Sequence, residues 1–182
     1  AKPKATATPK QDALDVEVVS IKNARPGKAV RFGTYEQDNK SSTFDEPIQW
    51  IVLARSEDGN EMLLISQYCL DVIPFGGSNW ADSSLRDWLN CDFMYAAFDS
   101  EEISHLKPVS IASLENPTYG TDGGNNTTDR VFLLSINEVN RFFSSDSVRL
   151  SQPTKYAKAG GAYVNATGST WWWLRQMGKN TG

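Results

Sequence analysis

Two stretches of this 182-residue chain carry residue types that could do chemistry. The first is Tyr119-Gly120-Thr121-Asp122-Gly123-Gly124-Asn125-Asn126-Thr127-Thr128-Asp129. It offers carboxylates at Asp122 and Asp129 and amide oxygens at Asn125 and Asn126. Hard cations take such oxygens, and glycines permit the tight turn that would gather them. Calcium is the cation this set suggests. The spacing is not that of an EF-hand, and no closing bidentate Glu is present. The competing reading is a loop stitched by its own Asx turns. The second stretch is Trp171-Trp172-Trp173-Leu174-Arg175. In an extended strand, Trp171, Trp173 and Arg175 share one face, and Trp172 and Leu174 the other. An exposed indole is a flat apolar platform with one donor, suited to stacking on sugars, aromatics or proline. Tyr119 and Asn125 could add a second contact to such a binding surface. The expectation is that Trp172 and Leu174 point inward. The Trp171/Trp173 face then opens toward solvent, or toward an acid near Arg175, because a charged guanidinium cannot end a dry face alone.

Other reactive types are scarce. One histidine, His105, argues against a His-rich metal site and a His-based triad within one chain. It sits before Pro108, near an expected helix end. The two cysteines, Cys69 and Cys91, form no CxxC motif. The spacing leaves open whether they bridge or stay as separate thiols. No phosphate loop and no distinguishable carboxylate pair is present, so no catalytic residue is assigned. A non-enzymatic role is favoured, and no cofactor is expected unless the loop takes calcium.

Hydrophobic residues make up 40% and charged residues 22%, enough for one globular core. The net charge is −4, although residues 1–10 carry Lys2, Lys4 and Lys10 and no acid. The remaining body is more acidic still, which disfavours nucleic acid as a partner. No apolar run is long enough to span a membrane. Residues 1–15 open with a Lys/Thr/Pro/Ala lead that reads as a flexible linker, of the kind that tethers exported domains after signal-peptide removal. Residues 16–182 then form a single domain.

Periodicity places the elements that must carry these residues. Ala29–Tyr35 alternates like a strand. Residues 48–53 and 61–66 are β-rich runs joined across Asp58-Gly59, a hairpin signal. Leu85, Trp88, Leu89 and Phe93 recur at helical spacing, behind Ser84 and Asp87 as an approximate capping box. Ser100 with Glu101 and Glu102 opens a shorter helix. Residues 131–134 read as a short buried strand. Ser135 and Glu138 form a clear capping box for a third helix, with Val139, Phe142 and Phe143 on its inner face.

Several blocks together resemble a known family: Arg31-Phe32-Gly33-Thr34-Tyr35, Pro47-Ile48-Gln49-Trp50, Leu63-Leu64-Ile65-Ser66, Ser84-Leu85-Arg86-Asp87-Trp88-Leu89, Val131-Phe132-Leu133-Leu134-Ser135 and the tryptophan run. It is a family of bacterial, mostly exported domains of uncharacterised function. It is similar to the C-type lectin-like fold that also houses the formylglycine-generating sulfatase modifiers. The resemblance implies an α+β, C-type lectin-like domain with a mixed or antiparallel sheet and two or three helices. It also implies a secreted or cell-envelope location and a glycan, cell-wall or protein ligand. This chain departs by reading Gln176-Met177 where members tend to read Ser-Pro. Members continue for further strands, so the expectation is a sheet lacking its C-terminal strands, with an edge there that a partner chain could complete. The cysteine pair of the sulfatase modifiers is not matched. The alternative to a binding module is a diverged enzyme related to those modifiers, or an assembly domain.

Overall fold

The Asp58-Gly59 turn does what its residue types require. Asp58 Oδ1 accepts from the Ser56 hydroxyl at 2.6 Å and from Asn60 N–H at 3.1 Å, while Gly59 takes φ 73°. The turn joins β2 (Glu46–Arg55) to β3 (Met62–Ser66), and β1 (Ala29–Tyr35) pairs with the other side of β2. The order is β1-β2-β3, antiparallel throughout. The computed structural model describes residues 16–42 and 44–179. The expected linker, residues 1–15, lies outside them.

The ladder of β1 is broken between Arg31 and Thr34. Gly33 sits in this bulge at φ 70°, and its N–H donates to Glu102 Oε1 at 2.9 Å. A Cβ there would lie 2.6 Å from the Ala97 carbonyl oxygen and from the Phe98 ring. Glycine is thus what allows the helical layer to approach the sheet.

That layer is one rod: α1 (Ser84–Trp88), a π-helical turn over Leu89–Phe93, and α2 (Met94–Ala97). Ser83, one residue before the expected cap, accepts from Arg86 N–H at 3.2 Å. The predicted apolar face is inward. Phe93 packs with Ile48 of β2, Leu70 and Phe98; Leu85 packs with Phe75, Trp80 and Ile111; Trp88 and Leu89 touch both clusters. The next helix, α3 (Ser100–His105), is capped by Asp99 rather than Ser100, in a full capping box with Glu102. The α4 helix (Ile136–Phe142) has the predicted Ser135/Glu138 box. A further short helix, α5 (Lys155–Ala159), has no signal in the sequence. Thr154 caps it, and its five residues are too few to show an amphipathic period.

A second, two-stranded sheet pairs β4 (Val109–Ile111) with β5 (Thr127–Asp129). β5 lies inside the stretch read as loop. The fold is α+β with antiparallel ladders, as the sequence implied.

Two expected strands are corrected. Residues 131–134 join no ladder, and side chains take several of their backbone groups instead. Asn90 Nδ2 donates to Val131 O at 2.9 Å, and Arg175 Nη1 donates to Leu133 O at 2.8 Å. Residues 171–174 likewise join no ladder. A single bridge, Ser151 to Thr170, precedes them.

Candidate functional site

The tryptophan run keeps the alternation of a strand without its ladder. Trp171 is 70% exposed and Trp173 46%, while Trp172 and Leu174 are half-buried. Each of the last two indoles is fixed by its N–H: Trp172 Nε1 donates to Arg149 O at 3.2 Å, and Trp173 Nε1 to Ile73 O at 3.1 Å. The Trp171 and Trp173 rings lie 6.2 Å apart. Tyr163, 60% exposed, meets Trp171 edge-on at 6.4 Å. Phe75 meets Trp173 edge-on at 5.8 Å, tying the row to the core. Three exposed aromatic rings thus form a shelf.

The shelf is one lip of an apolar groove of ≈ 580 Å³. Its floor includes Trp88, Leu89 and Phe93 of the rod. Its walls are β3 with the segment after it, residues 131–134, and the tryptophan run. Asp71 and Arg149 are the charged side chains among the described lining residues. Both are engaged. Asp71 accepts from the Tyr35 hydroxyl at 2.6 Å and from the Val72 N–H at 2.7 Å, and Arg149 pairs with Asp146 at 2.9 Å. Burial, and then the bond to Asp71, push the Tyr35 phenol far above its usual range. Cys69 also lines the groove. Burial pushes its thiol up, against a weaker opposite effect of the Ser151 hydroxyl. Both cysteines are free, so the question the spacing left open resolves to separate thiols, with Cys91 exposed.

Arg175 is not at a solvent rim. It is 7% exposed, and Nη1 reaches Glu138 Oε2 at 2.6 Å. The acid expected near Arg175 is therefore the capping residue of α4. Burial would raise the Glu138 carboxyl. The Arg175 bond and charge, with the Ser135 N–H and hydroxyl, outweigh it and hold the group below its ordinary value.

In the loop of residues 119–129 several of the candidate oxygens bond within the chain. Asp129 is fully buried, accepting from Trp80 Nε1 at 2.9 Å, Thr127 Oγ1 at 2.6 Å and Arg86 Nε at 2.7 Å. Asp122 Oδ1 accepts from Gly124 N–H, and Asn126 Oδ1 from Ser113 N–H. Asn125 gives its carbonyl to the Ser113 hydroxyl at 2.7 Å. Tyr119 is exposed, its N–H bonded to Asn116 Oδ1 at 3.2 Å. Neither Tyr119 nor Asn125 lines the groove. The same region clamps the run's far end. Buried Asn116 donates to Met177 O at 2.7 Å, Gln176 donates to Glu115 O at 3.2 Å, and Thr121 donates to Gly178 O at 2.8 Å.

A carboxylate trio that the sequence reading missed, Glu36, Asp38 and Glu46, lies within 4.8 Å. Its oxygens serve the chain: Glu46 accepts from Gln37 N–H, Glu36 from Asn39 N–H, and Asp38 pairs with Lys40. Among the described residues no helix is long and apolar enough to cross a membrane.

No curated protein and no solved structure matches the chain. A family model does, over residues 59–181, from the Asp-Gly turn through the tryptophan run and so across every wall of the groove. The chain belongs to the family described as a domain of unknown function, DUF6273.

Proposed function

We propose that this chain is a non-catalytic binding module whose ligand rests on the Tyr163/Trp171/Trp173 shelf and enters the groove behind it. The observation that carries the reading is the exposure of three ordered aromatic rings at the lip of an apolar cavity of ≈ 580 Å³. Exposed aromatic surface of this kind marks interaction sites. The groove's charged side chains are committed to partners within the chain, so it offers shape and apolar surface rather than acid–base chemistry. A glycan, a cell-wall fragment or a protein segment could present the matching apolar face. The resemblance to exported lectin-like domains supports a secreted or cell-envelope location in bacteria, as part of the same proposal.

The test is a binding screen of the full chain against immobilised bacterial glycans, peptidoglycan fragments and peptides. It is repeated with a Tyr163→Ala/Trp171→Ala double variant. Both side chains are exposed, so the variant should melt close to the parent. Selective binding that the variant loses is the expected result. Binding that survives both substitutions would place the ligand elsewhere and overturn the reading.

A further inference from the structure

β3 is the outer strand of its sheet, and the phase of its open edge can be read from the ladder. Gln67 N–H donates to Gln49 O at 2.9 Å. In an antiparallel pair, residues that exchange bonds alternate with residues that do not. Gln49/Gln67 and Ile51/Ile65 are therefore the bonded pairs. Leu64 and Ser66 direct their N–H and C=O away from β2. Val52, opposite Leu64, has the same phase: its own N–H and C=O bond to Lys28 O and Gly27 N–H on the far side of β2.

Beyond Ser66 the position beside this edge is filled. Cys69 bridges Pro153 in parallel, with Cys69 N–H on Gln152 O and Thr154 N–H on Cys69 O, both at 3.0 Å. Ser151 in turn bridges Thr170. Alongside β3 itself, among the described residues, no strand takes that place. Leu64, Ile65 and Ser66 of that edge strand line the groove. Another wall of the groove, residues 171–173, is a second stretch of backbone without a ladder. Thr170 N–H bonds to Ser151 O before it, and Arg175 N–H to Leu134 O after it.

We infer that the groove accepts an extended, uncharged, apolar segment of a partner polypeptide as a fourth strand on β3, in line with residues 151–153. This rests on the reading of the groove as the ligand site and names its ligand class. Charge matching favours an uncharged occupant, because Asp71 and Arg149 already have partners. Spacing favours a polypeptide. An edge strand presents donors and acceptors at intervals that another strand reproduces, and the pockets between them take alternate side chains.

The experiment uses the full chain and a short synthetic peptide alternating Val with Thr, with blocked ends. Two analogues carry N-methyl groups on alternate residues, one in each phase. Groove access is read separately with an apolar fluorescent dye, and binding by tryptophan emission. Isotope-edited infrared follows a ¹³C-labelled peptide carbonyl, and sedimentation gives the oligomeric state. The parent peptide should displace the dye, show the infrared signature of a strand, and lose about tenfold or more in affinity in at least one N-methyl phase, the loss of one or two ladder bonds. Equal binding of all three peptides would overturn strand addition, as would a self-dimer that shuts the groove, or dye binding that no peptide competes. A chain that binds neither dye nor peptide would instead remove the groove reading itself.

Discussion

Arg175 Nη1 and Glu138 Oε2 stand 2.6 Å apart, although 37 residues separate them in sequence. The pair joins the end of the tryptophan run to the first turn of α4. The same guanidinium nitrogen also donates to Leu133 O. One side chain thus secures two walls of the groove.

Arg175→Met should therefore act first on stability. It leaves a half-buried carboxylate and a carbonyl oxygen without their donor, a loss of about 1–3 kcal/mol. Urea unfolding would measure it. A midpoint unchanged from the parent would show that the pair contributes nothing.

Glu138 also sets an acid limit. Its folded pKa is depressed, so the unfolded state binds the proton more readily. The stabilisation is fully present above the ordinary glutamate pKa of about 4.3 and is lost as pH falls through the lower folded value. Glu138→Gln should flatten the decline in melting temperature below about pH 4. Parallel acid curves for parent and variant would contradict this.

Two glycines with positive φ separate steric from conformational cost. At Gly27, φ 84°, an added methyl would meet nothing within 4 Å, whereas at Gly33, φ 70°, it would meet the Ala97 carbonyl oxygen at 2.6 Å. Gly27→Ala should cost about 1 kcal/mol for the left-handed backbone alone. Gly33→Ala adds overpacking and should cost about 2–4 kcal/mol. Equal losses in thermal or chemical unfolding would mean that the rod can move off the bulge.

The cysteines should differ in reactivity. Cys91 is exposed, while Cys69 is half-buried with its thiol pushed up by burial. Iodoacetamide followed by intact-mass analysis should label Cys91 first at mildly alkaline pH. A ligand seated in the groove should slow Cys69 further. Simultaneous labelling would show that Cys69 is freely reached.

Chelation should leave melting nearly unchanged, since the oxygens of Asp129, Asp122 and Asn126 bond to the chain itself. A fall of many degrees with EDTA, restored by calcium, would make the loop a cation site.

Much of the scaffold was legible because it is local. Alternation marked β1, the Asp58-Gly59 turn marked the hairpin, and helical spacing marked the buried face of the rod. The alternation of exposure at Trp171 and Trp173 was legible too, since any extended backbone produces it. The ladder was not, because pairing depends on a neighbour. Residues 131–134 show why. Their apolar run looks like a strand, yet its bonds go to Asn90 and Arg175, 41 and 42 residues away. The acid expected near Arg175 had no name in the sequence for the same reason, since Glu138 lies 37 residues away. The groove draws on seven separated segments, 50–51, 64–74, 85–93, 131–134, 143–151, 161–163 and 170–173, and only the tryptophan run signals it in the sequence.

The bond between Asn90 and Val131 has a further consequence. Residues 131–134 are held at one end by that amide and at the other by Arg175. A ladder would register every residue; two end fastenings leave the middle free to bow. Phe132, between the fastened Val131 and Leu133, is then the residue with room to yield toward the rod. Amide exchange at Phe132 should run ahead of that in β1 and β2, and slow when the groove is filled.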